Sequence, residues 1–360
     1  MKIINVVGAR PNFMKIAPII SEMKKYKEIE SLLVHTGQHY DENMSRSFFD
    51  DLEIPRPDIN LNVGSASHAI QTADIMIEFE KVCFKEKPDY VLVVGDVNST
   101  IACALDAKKL GIKVIHIEAG LRSFDMKMPE EINRILTDQI ADLLFITEED
   151  AKVNLSNEGI SPKKIHFVGN VMIDILIQNL RKCKKSNILK ALALKEKEYS
   201  LLTLHRPSNV DSKEKLQKIL QTLNEISEKI PIVFPIHPRT ENMVQKFGLS
   251  EKIKCIKTIP PLGYLDFMRL IVGSKFVLTD SGGIQEETTY LKIPCLTMRE
   301  NTERPITEFV GSNVIVGTDA DKILSNVRMI LSGNFKNSKI PKFWDGKASE
   351  RIVKTILDDF

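Results

Sequence analysis

The sequence predicts an α/β protein with parallel β-sheets and enough strands for two domains. Short apolar, β-branched runs alternate with helical patterns along the chain, which is typical of parallel strands joined by right-handed crossovers. More than ten such runs are present, and one twisted sheet rarely holds that many. The 360 residues also exceed one ordinary domain. We therefore expect two Rossmann-like, doubly wound parallel sheets.

The apolar runs set the expected elements and the expected boundary. Strands are predicted at about 3–7, 90–95, 113–117, 142–147, 164–168, 200–204, 231–236, 253–257, 275–279, 294–298 and 313–316. Lysines cluster without a strand pattern at about 182–199, so a domain boundary is expected there. The expected domains are 1–180 and 190–345. A last helix at 346–360 either caps the second domain or packs back on the first.

Composition excludes several classes of partner. Lys and Arg number 50 against 48 Asp and Glu, so no net charge favours nucleic acid or an anionic membrane. No apolar run approaches the roughly 20 residues of a membrane span. The first strand begins without a secretory leader, and the five cysteines are scattered. A cytoplasmic, reduced location is therefore expected.

Polar residues follow seven of the predicted strands. They are Arg10, Asp96, Glu118, His205, His237, the turn at 280–283 and Arg299. Ligands of doubly wound sheets bind beyond the carboxyl ends of the strands. Each residue singly could belong to a solvated loop, but carboxylates, imidazoles and guanidinium groups together predict a site for chemistry on an anionic ligand.

The strongest local signal is the turn Ser281-Gly282-Gly283, which lies between a strand and a helix. Free N–H groups and the positive end of the helix dipole can hold a phosphate there, although a plain tight turn explains it equally well. Glu287 follows about one helical turn later, where its carboxylate can accept a sugar hydroxyl. After the first strand, Arg10 offers a planar fork for phosphate and Lys15 a second cation.

Three carboxylates are candidates for acid–base work, namely Asp96, Glu118 and Glu130. Glu130 has an alternative explanation, because acidic residues after a proline are typical of a helix start. His205 and His237 are expected to hydrogen-bond phosphate or sugar rather than a metal, since HxH, HExxH and cysteine partners are absent. His116 lies inside an apolar strand and is predicted to be a satisfied core residue. The sequence has neither GxGxxG nor a Walker lysine loop, so no nicotinamide cofactor is expected.

An ordered set of motifs carries a family resemblance across most of the chain. They are GARPNFMK (8–15), TGQHYD (36–41), GDVNST (95–100), IEAGLRS (117–123), PEEINR (129–134), TLHRP (203–207), HPRT (237–240), TDSGGIQEE (279–287) and TERP (302–305). Together they resemble the non-hydrolysing UDP-N-acetylglucosamine 2-epimerases. The resemblance implies a GT-B architecture with two domains facing a central cleft, a homodimer, a UDP-sugar substrate and no cofactor or metal.

What the resemblance implies chemically is inversion at C2 of the sugar. UDP leaves to give a 2-acetamidoglucal and adds back after reprotonation on the other face. The implied catalytic residues are Asp96, Glu118, Glu130 and His205. The implied substrate-binding residues are Arg10, Lys15, Arg122, His237, Ser281, Gly282, Gly283, Glu287 and Arg304.

Other functions remain open from the sequence. TGQHYD and HPRT also resemble the relatives that act on UDP-2,3-diacetamido-2,3-dideoxy-glucuronate, which would need an extra cation for the C6 carboxylate. A GT-B glycosyltransferase would need an acceptor site. A nucleotide-sugar binding module without chemistry has no use for three clustered acids.

Overall fold

A computed structural model describes residues 1–38 and 55–360, except for the side chain of Arg10. The motif at 36–41 therefore passes out of the described residues at His39. The chain folds into two compact units: unit 1 is Met1–Gln178 with Lys342–Phe360, and unit 2 is Asn179–Pro341. The chain leaves unit 1 ahead of the lysine-rich stretch at about 182–199.

Unit 1 is built on a parallel seven-stranded sheet. Its strands are β1 (Lys2–Val7), β2 (Glu30–His35), β3 (Ile59–Asn60), β4 (Tyr90–Val94), β5 (Lys113–Ile117), β6 (Leu143–Ile146) and β7 (Ile165–Phe167). The order across the sheet is β3-β2-β1-β4-β5-β6-β7. Strand order therefore reverses between β1 and β4, which is where doubly wound sheets open a crevice for ligands.

The helices of the first stretch of unit 1 follow the expected alternation. They are α1 (Arg10–Met23), α2 (His68–Glu86), α3 (Asn98–Lys109), α4 (Pro129–Ile140), α5 (Glu149–Asn157) and α6 (Val171–Cys183), with a 3₁₀ turn at Pro162–Lys164. The last residues of α6, from Asn179 onward, belong to unit 2. Helix α3 packs between α2 and α4, which explains why it is almost wholly buried. Its alanines and Cys103 join the core made by the apolar faces of β1, β4 and α2.

Unit 2 repeats the plan with a parallel six-stranded sheet. Its strands are β8 (Ser200–Thr203), β9 (Ile232–Pro235), β10 (Lys257–Ile259), β11 (Phe276–Thr279), β12 (Cys295–Thr297) and β13 (Asn313–Ile315), in the order β10-β9-β8-β11-β12-β13. Strand order reverses between β8 and β11. The two strands pair in register up to Thr203 opposite Thr279, so the residues that follow them begin side by side.

The helices of unit 2 complete both faces of its sheet. They are α7 (Ile188–Ala191), α8 (Pro207–Val210), α9 (Lys213–Ser227), α10 (Pro238–Lys246), α11 (Tyr264–Gly273), α12 (Gly282–Leu291), α13 (Pro305–Phe309) and α14 (Ala320–Leu331), with a 3₁₀ turn at Ser250–Ile253. The face of α9 at 216–226 is buried as its spacing predicts. Two apolar clusters result, one centred on α9 and α14 and the other on α11.

The last helix, α15 (Ala348–Asp359), belongs to unit 1 and packs against α1. Asp174 holds its start, because its carboxylate accepts hydrogen bonds from the backbone N–H groups of Ala348 at 3.1 Å and Ser349 at 2.7 Å. Residues 342–360 thus complete a fold that the chain began before unit 2.

The prediction of two doubly wound parallel sheets is confirmed. The list of predicted strands omits two strands and contains one that is wrong. Strands β2 and β3 were not predicted, since β2 is buried only in its second half and β3 has just two residues. The strand expected at 253–257 is wrong, because the 3₁₀ turn ends at Ile253 and β10 begins at Lys257. No described helix is long and apolar enough to span a membrane.

Candidate active site

In unit 1 the tips of β1, β4 and β5 converge at the point where strand order reverses. Gly8 follows β1, and a Cβ atom there would lie 2.1 Å from the Ser99 hydroxyl oxygen. Only glycine therefore allows this close approach of β1 to the start of α3. Gly95 follows β4 with φ +72°, and a Cβ there would lie 3.4 Å from Lys15 Nζ and 3.7 Å from Glu118 Oε2.

Glu118 is buried directly after β5, and Lys15 of α1 pairs with it. Lys15 Nζ donates to Glu118 Oε2, and both side chains are largely shielded from water. The backbone of Glu118 is left-handed, with φ +67°, a conformation that is unusual for a glutamate and that recurs at functional sites. Lys15 was expected at a nucleotide; the structure instead places it on a candidate catalytic carboxylate.

Asp96 lies at the tip of β4 and is oriented by α4. Arg134 Nη1 lies 2.5 Å from Asp96 Oδ2, and the Asp96 side chain keeps 33% of its surface exposed. Asn133 Nδ2 donates to the Asp96 backbone carbonyl at 2.9 Å. Asp96 is therefore held in place while it remains open to a ligand.

The two glutamates at the start of α4 differ in exposure and in hydrogen bonding. Glu130 is exposed. Glu131 is 1% exposed, and it accepts hydrogen bonds from the backbone N–H groups of Ser123 at 3.0 Å and Phe124 at 2.8 Å and from Arg134 Nε at 2.9 Å. Burial alone would raise the pKa of Glu131, but these donors outweigh it and hold the pKa below its usual value.

Arg122 was expected to bind substrate, and its contacts argue against that role. Its side chain is buried, with Nε 2.8 Å and Nη2 2.6 Å from the two carboxylate oxygens of Glu158. Nη2 also lies 2.8 Å from Asp138 Oδ2, and Nη1 donates to the Leu121 carbonyl. A guanidinium occupied in this way fixes the loop after Glu118 rather than a ligand.

In unit 2 the tips of β8 and β11 bring His205 beside Asp280. Asp280 is fully buried, and its Oδ2 accepts from the backbone N–H groups of His205 at 2.9 Å and Arg206 at 2.8 Å. His205 Nδ1 lies 3.0 Å from Asp280 Oδ1, and the His205 side chain is 39% exposed. Burial acts to raise the pKa of Asp280, but His205 and the two N–H groups hold it below its usual value. Asp280 thus orients His205 with Nε2 left for a ligand.

His237 lies next to this pair at the start of α10. Its Nδ1 accepts from the Arg239 backbone N–H at 3.1 Å, and its ring centroid is 5.6 Å from that of His205. Burial and the neighbouring His205 lower the pKa of His237, so the ring is neutral at neutral pH and can donate from Nε2. Within the described residues, no three His, Cys, Asp or Glu side chains are grouped to hold a metal ion.

The turn at the start of α12 leaves its backbone donors accessible. Ser281 is the N-cap residue, and its side chain makes no capping hydrogen bond. A Cβ added at Gly283 would meet no atom within 4 Å, whereas one added at Gly282 would lie 2.7 Å from Glu303 Oε1, so the open space lies beside Gly283. Open N–H groups at a helix start are what an anion requires.

Arginines surround a buried carboxylate beside this turn. Glu303 Oε2 lies 2.8 Å from Arg299 Nη2, and Glu303 Oε1 lies 3.7 Å from Arg206 Nη2. Despite burial, the nearby arginines hold the pKa of Glu303 far below its usual range. Arg304 is itself buried and lies 2.6 Å from Glu286 Oε1, which argues against its expected contact with substrate.

Glu287 is buried in α12, with Tyr264 Oη 3.4 Å from its Oε1. Burial and the neighbouring Glu286 raise the pKa of Glu287 to about 8. At neutral pH the group is therefore mainly a carboxylic acid, which can both donate to and accept from a sugar hydroxyl. Sequence reasoning identified the position but not its protonation.

The raised pKa of Glu287 predicts a pH dependence of stability. Between pH 4.5 and about 8 the folded chain retains a proton that the unfolded chain releases, so this group's contribution to stability is lost as pH rises through that window. Glu287→Gln should remove that contribution. We expect the urea midpoint of the natural protein to fall more between about pH 5.5 and about pH 8.5 than that of the variant. Equal falls in both would contradict an acid form at position 287.

Sequence reasoning missed the role of four residues that hold the site together. They are Glu131, Arg134, Asp138 and Glu303. Three of them lie inside the quoted motifs, but a motif does not show which partner a charged side chain meets. Arg10 begins α1, and its side chain lies outside the described part of the chain.

The chain is similar to known proteins in both sequence and structure. Residues 21–357 match the family model described as UDP-N-acetylglucosamine 2-epimerase. A UDP-N-acetylglucosamine 2-epimerase of Methanocaldococcus jannaschii is 47% identical over 364 residues, covering 99% of each chain. A UDP-2,3-diacetamido-2,3-dideoxy-D-glucuronate 2-epimerase of Pseudomonas aeruginosa is 42% identical over 357 residues, covering 98% of this chain and 99% of the relative.

Among solved structures, the M. jannaschii UDP-GlcNAc 2-epimerase in complex with UDP-GlcNAc and UDP matches with a TM-score of 0.91. The two are 48% identical, and the match covers 99% of this chain and 100% of the other.

Proposed function

The chain belongs to the UDP-N-acetylglucosamine 2-epimerase family, and we propose that it interconverts UDP-N-acetylglucosamine and UDP-N-acetylmannosamine. The observation that carries the proposal is the full-length match to enzymes of this name, joined to carboxylates at the tips of β4 and β5. Unit 1 is proposed to supply the acid–base groups and Arg10, and unit 2 the other UDP-binding groups. The alternatives of a glycosyltransferase or a binding module have no comparable support.

The reaction needs a proton to leave C2 while the bond between C1 and the UDP oxygen breaks. The C2 hydrogen is weakly acidic, so bond breaking at C1 must place positive charge on the ring in the transition state. Asp96, Glu118 and Glu130 are proposed to stabilise that charge and to carry the proton. Elimination leaves a double bond between C1 and C2, and reprotonation on the opposite face followed by addition of UDP inverts C2.

Lys15 has a specific part in this scheme. Because it pairs with Glu118, it keeps that buried carboxylate charged and fixed in direction. The left-handed backbone of Glu118 is proposed to belong to the same arrangement, since strained backbone recurs at functional sites.

The departing UDP needs stabilisation of its phosphate oxygens. His205 is proposed to face the phosphate with Nε2, because Asp280 lies against its Nδ1 and sets the ring orientation. With Nδ1–H donating to Asp280, Nε2 donates to the phosphate only when both ring nitrogens carry a proton in the UDP complex. The backbone N–H groups at the start of α12, where Ser281 makes no side-chain capping hydrogen bond, are proposed to receive the other phosphate oxygens. His237 and Arg10 are proposed to add further donors, and Glu287 to bind a sugar hydroxyl of the nucleotide.

The phosphate site predicts opposite effects on stability and binding for one substitution. Gly283→Ala adds a methyl group where no atom lies within 4 Å, and alanine favours helix over glycine by up to about 1 kcal/mol. The free protein should therefore be as stable as before or more so, whereas UDP binding should weaken because the methyl group occupies the phosphate's approach. Calorimetric titration of UDP measures this.

Ser281→Ala is the companion variant. It should weaken UDP binding about 5-fold through one lost hydrogen bond of about 1 kcal/mol, and Arg10→Ala should weaken it further. Unchanged UDP affinity in all three variants would remove the proposed phosphate site.

The identity of the sugar substrate is tested by exchange of the C2 hydrogen with solvent. Incubation with UDP-N-acetylglucosamine in deuterated water should place deuterium at C2 while UDP-N-acetylmannosamine appears in the proton NMR spectrum. The 42% identity to the diacetamido-glucuronate enzyme supports a second candidate substrate, UDP-2,3-diacetamido-2,3-dideoxy-glucuronate. Exchange with that uronate alone would establish it, and exchange with neither sugar would defeat both proposals.

A homodimer through α2 and α4 is also proposed. Ile70, Ile77 and Phe84 recur every seven residues on α2 with 55–62% of each side chain exposed, and Ile132 and Leu136 are exposed on α4. The two helices flank α3 on one face of the sheet, so these residues form an apolar surface that a second copy would cover. The proposed location is cytoplasmic, which the five free cysteines support.

The proposed dimer surface predicts that one substitution lowers the molecular mass of the protein in solution. Phe84→Glu should convert a dimer to a monomer in light scattering at micromolar concentration, because burying a charge at this surface is costly. Phe309→Glu is the matched control, since Phe309 is 78% exposed and belongs to unit 2. A natural protein that is monomeric, or a Phe84→Glu variant that stays dimeric, would contradict the proposed surface.

A further inference from the structure

His116 is a core residue whose two ring nitrogens both meet acceptors. The residue is fully buried in β5. Its Nδ1 lies 2.7 Å from Asp138 Oδ1, and its Nε2 lies 2.9 Å from the backbone carbonyl oxygen of Gly95. A carbonyl oxygen can only accept, so Nε2 must carry a proton, and a neutral imidazole would then have none on Nδ1.

The surroundings of Asp138 decide where the second proton lies. Asp138 Oδ2 accepts from the backbone N–H of Gly120 at 3.0 Å, and it also lies 2.8 Å from Arg122 Nη2. Donors of this kind favour the ionised carboxylate. The proton between Asp138 and His116 therefore belongs to the ring, which makes His116 an imidazolium.

The charges around the ring balance. Two cations, His116 and Arg122, face two anions, Asp138 and Glu158. On the other side of Gly95 lies the Lys15–Glu118 pair, which is itself neutral overall. Paired charges of this kind can remain ionised in a protein interior, whereas an isolated one cannot.

His116 and its two hydrogen-bond partners, Gly95 and Asp138, lie on the three elements that carry the candidate acids. Gly95 directly precedes Asp96 at the tip of β4, and Glu118 follows His116 by two residues on β5. Asp138 belongs to α4, the helix on which Glu130 lies. Asp138 also fixes Gly120, just after the left-handed Glu118.

We propose that His116 is a buried, protonated positioning residue that ties β4, β5 and α4 together and so fixes the relative positions of Asp96, Glu118 and Glu130. It touches neither substrate nor the reacting atoms. Because the three carboxylates must act on one sugar, small displacements among them are costly in rate. The positioning role rests on the proposed epimerase function, whereas the protonation state does not.

The protonation state is tested on the natural protein by nitrogen NMR with ¹⁵N-labelled histidine at neutral pH. One ring should show both nitrogens protonated, with N–H protons that exchange slowly with water because the ring is buried. His35 is the internal reference: burial lowers its pKa to about 4, so its ring should show one protonated and one bare nitrogen.

Three variants test whether the signal of the doubly protonated ring belongs to His116. The doubly protonated pattern should vanish in His116→Gln and revert to a neutral ring in Asp138→Asn. It should persist in His205→Gln, which removes a second histidine that lies beside an aspartate. Absence of such a ring in the natural protein, or its survival in Asp138→Asn, would overturn the proposal.

The positioning role is tested by kinetics. His116→Gln retains a donor for one partner only, so kcat should fall on the order of 10²-fold. KM and UDP affinity should stay within about 2-fold, since none of the proposed UDP-binding groups contacts His116. A fall in the folded fraction with unchanged kcat per folded molecule would show a purely structural role and refute positioning. A natural protein inactive on both sugars would defeat the proposed function and leave the NMR result standing.

Discussion

Asp96→Asn should lower turnover by about 10²–10⁴-fold, the range for loss of an acid–base group. Asparagine has nearly the shape of aspartate and can still accept from Arg134, but it has neither the charge nor an oxygen that takes up a proton. Because Asp96 is one-third exposed, the free energy of unfolding should change little. UDP affinity should stay the same, since the carboxylate acts in the transition state and not in ground-state binding.

Asp142→Asn is the matched control for this experiment. Asp142 also lies in unit 1, pairs with Lys108 at 2.6 Å and has a 26% exposed side chain. It directly precedes β6 and so lies at the amino ends of the parallel strands, whereas Asp96 lies at their carboxyl ends. The control should keep full turnover, and equal turnover in both variants would exclude Asp96 from the chemistry.

Glu118→Gln should lose a similar factor in turnover, but with a second effect. The variant leaves Lys15 buried without its ionised partner, and breaking a buried pair is strongly destabilising. A lower melting temperature is therefore expected here and not for Asp96→Asn. For this reason Asp96 provides the clearer test of charge in the transition state.

Glu130→Gln and Glu131→Gln should give opposite results although the residues are neighbours. Glu131→Gln should lower the free energy of unfolding by about 3 kcal/mol, because a buried carboxylate that accepts two backbone N–H groups and pairs with Arg134 becomes a neutral amide. Glu130 is exposed, so Glu130→Gln should leave stability unchanged and lower turnover about 10²–10⁴-fold.

Urea unfolding and steady-state kinetics on the same preparations measure both quantities. Each variant serves as the control of the other, since the substitution is identical and only the position changes. Full turnover in Glu130→Gln would show that the residue merely begins a helix. A Glu131→Gln variant as stable as the natural protein would mean that the hydrogen bonds of Glu131 contribute little to the free energy of unfolding.

Strand tips could be predicted from sequence because their signal is local. A run such as Tyr90–Val94 followed by Asp96 needs only neighbouring residues to be read, and the same holds for β11 and the turn at Ser281. Strand β3, with two half-exposed or exposed residues, has too little pattern to be detected. The family resemblance added the assignment of catalytic groups, which no periodicity contains.

Pairing between distant residues could not be predicted. Lys15 and Glu118 are 103 positions apart, and their contact depends on the order β1-β4-β5 in the sheet. Arg122 and Arg304 were assigned to substrate through the family resemblance, yet carboxylates already pair with both. Sequence alone reveals a cation but not the anion that already neutralises it.

The return of residues 342–360 to unit 1 has a consequence for synthesis on the ribosome. Unit 2 is one continuous stretch of about 160 residues, whereas unit 1 stays without α15 until all of unit 2 has been made. At about 5–20 residues per second this delay is roughly 8–30 s. During that time the surface of α1 that α15 later covers is exposed in the nascent chain, so unit 2 can mature first and unit 1, although begun first, is completed last.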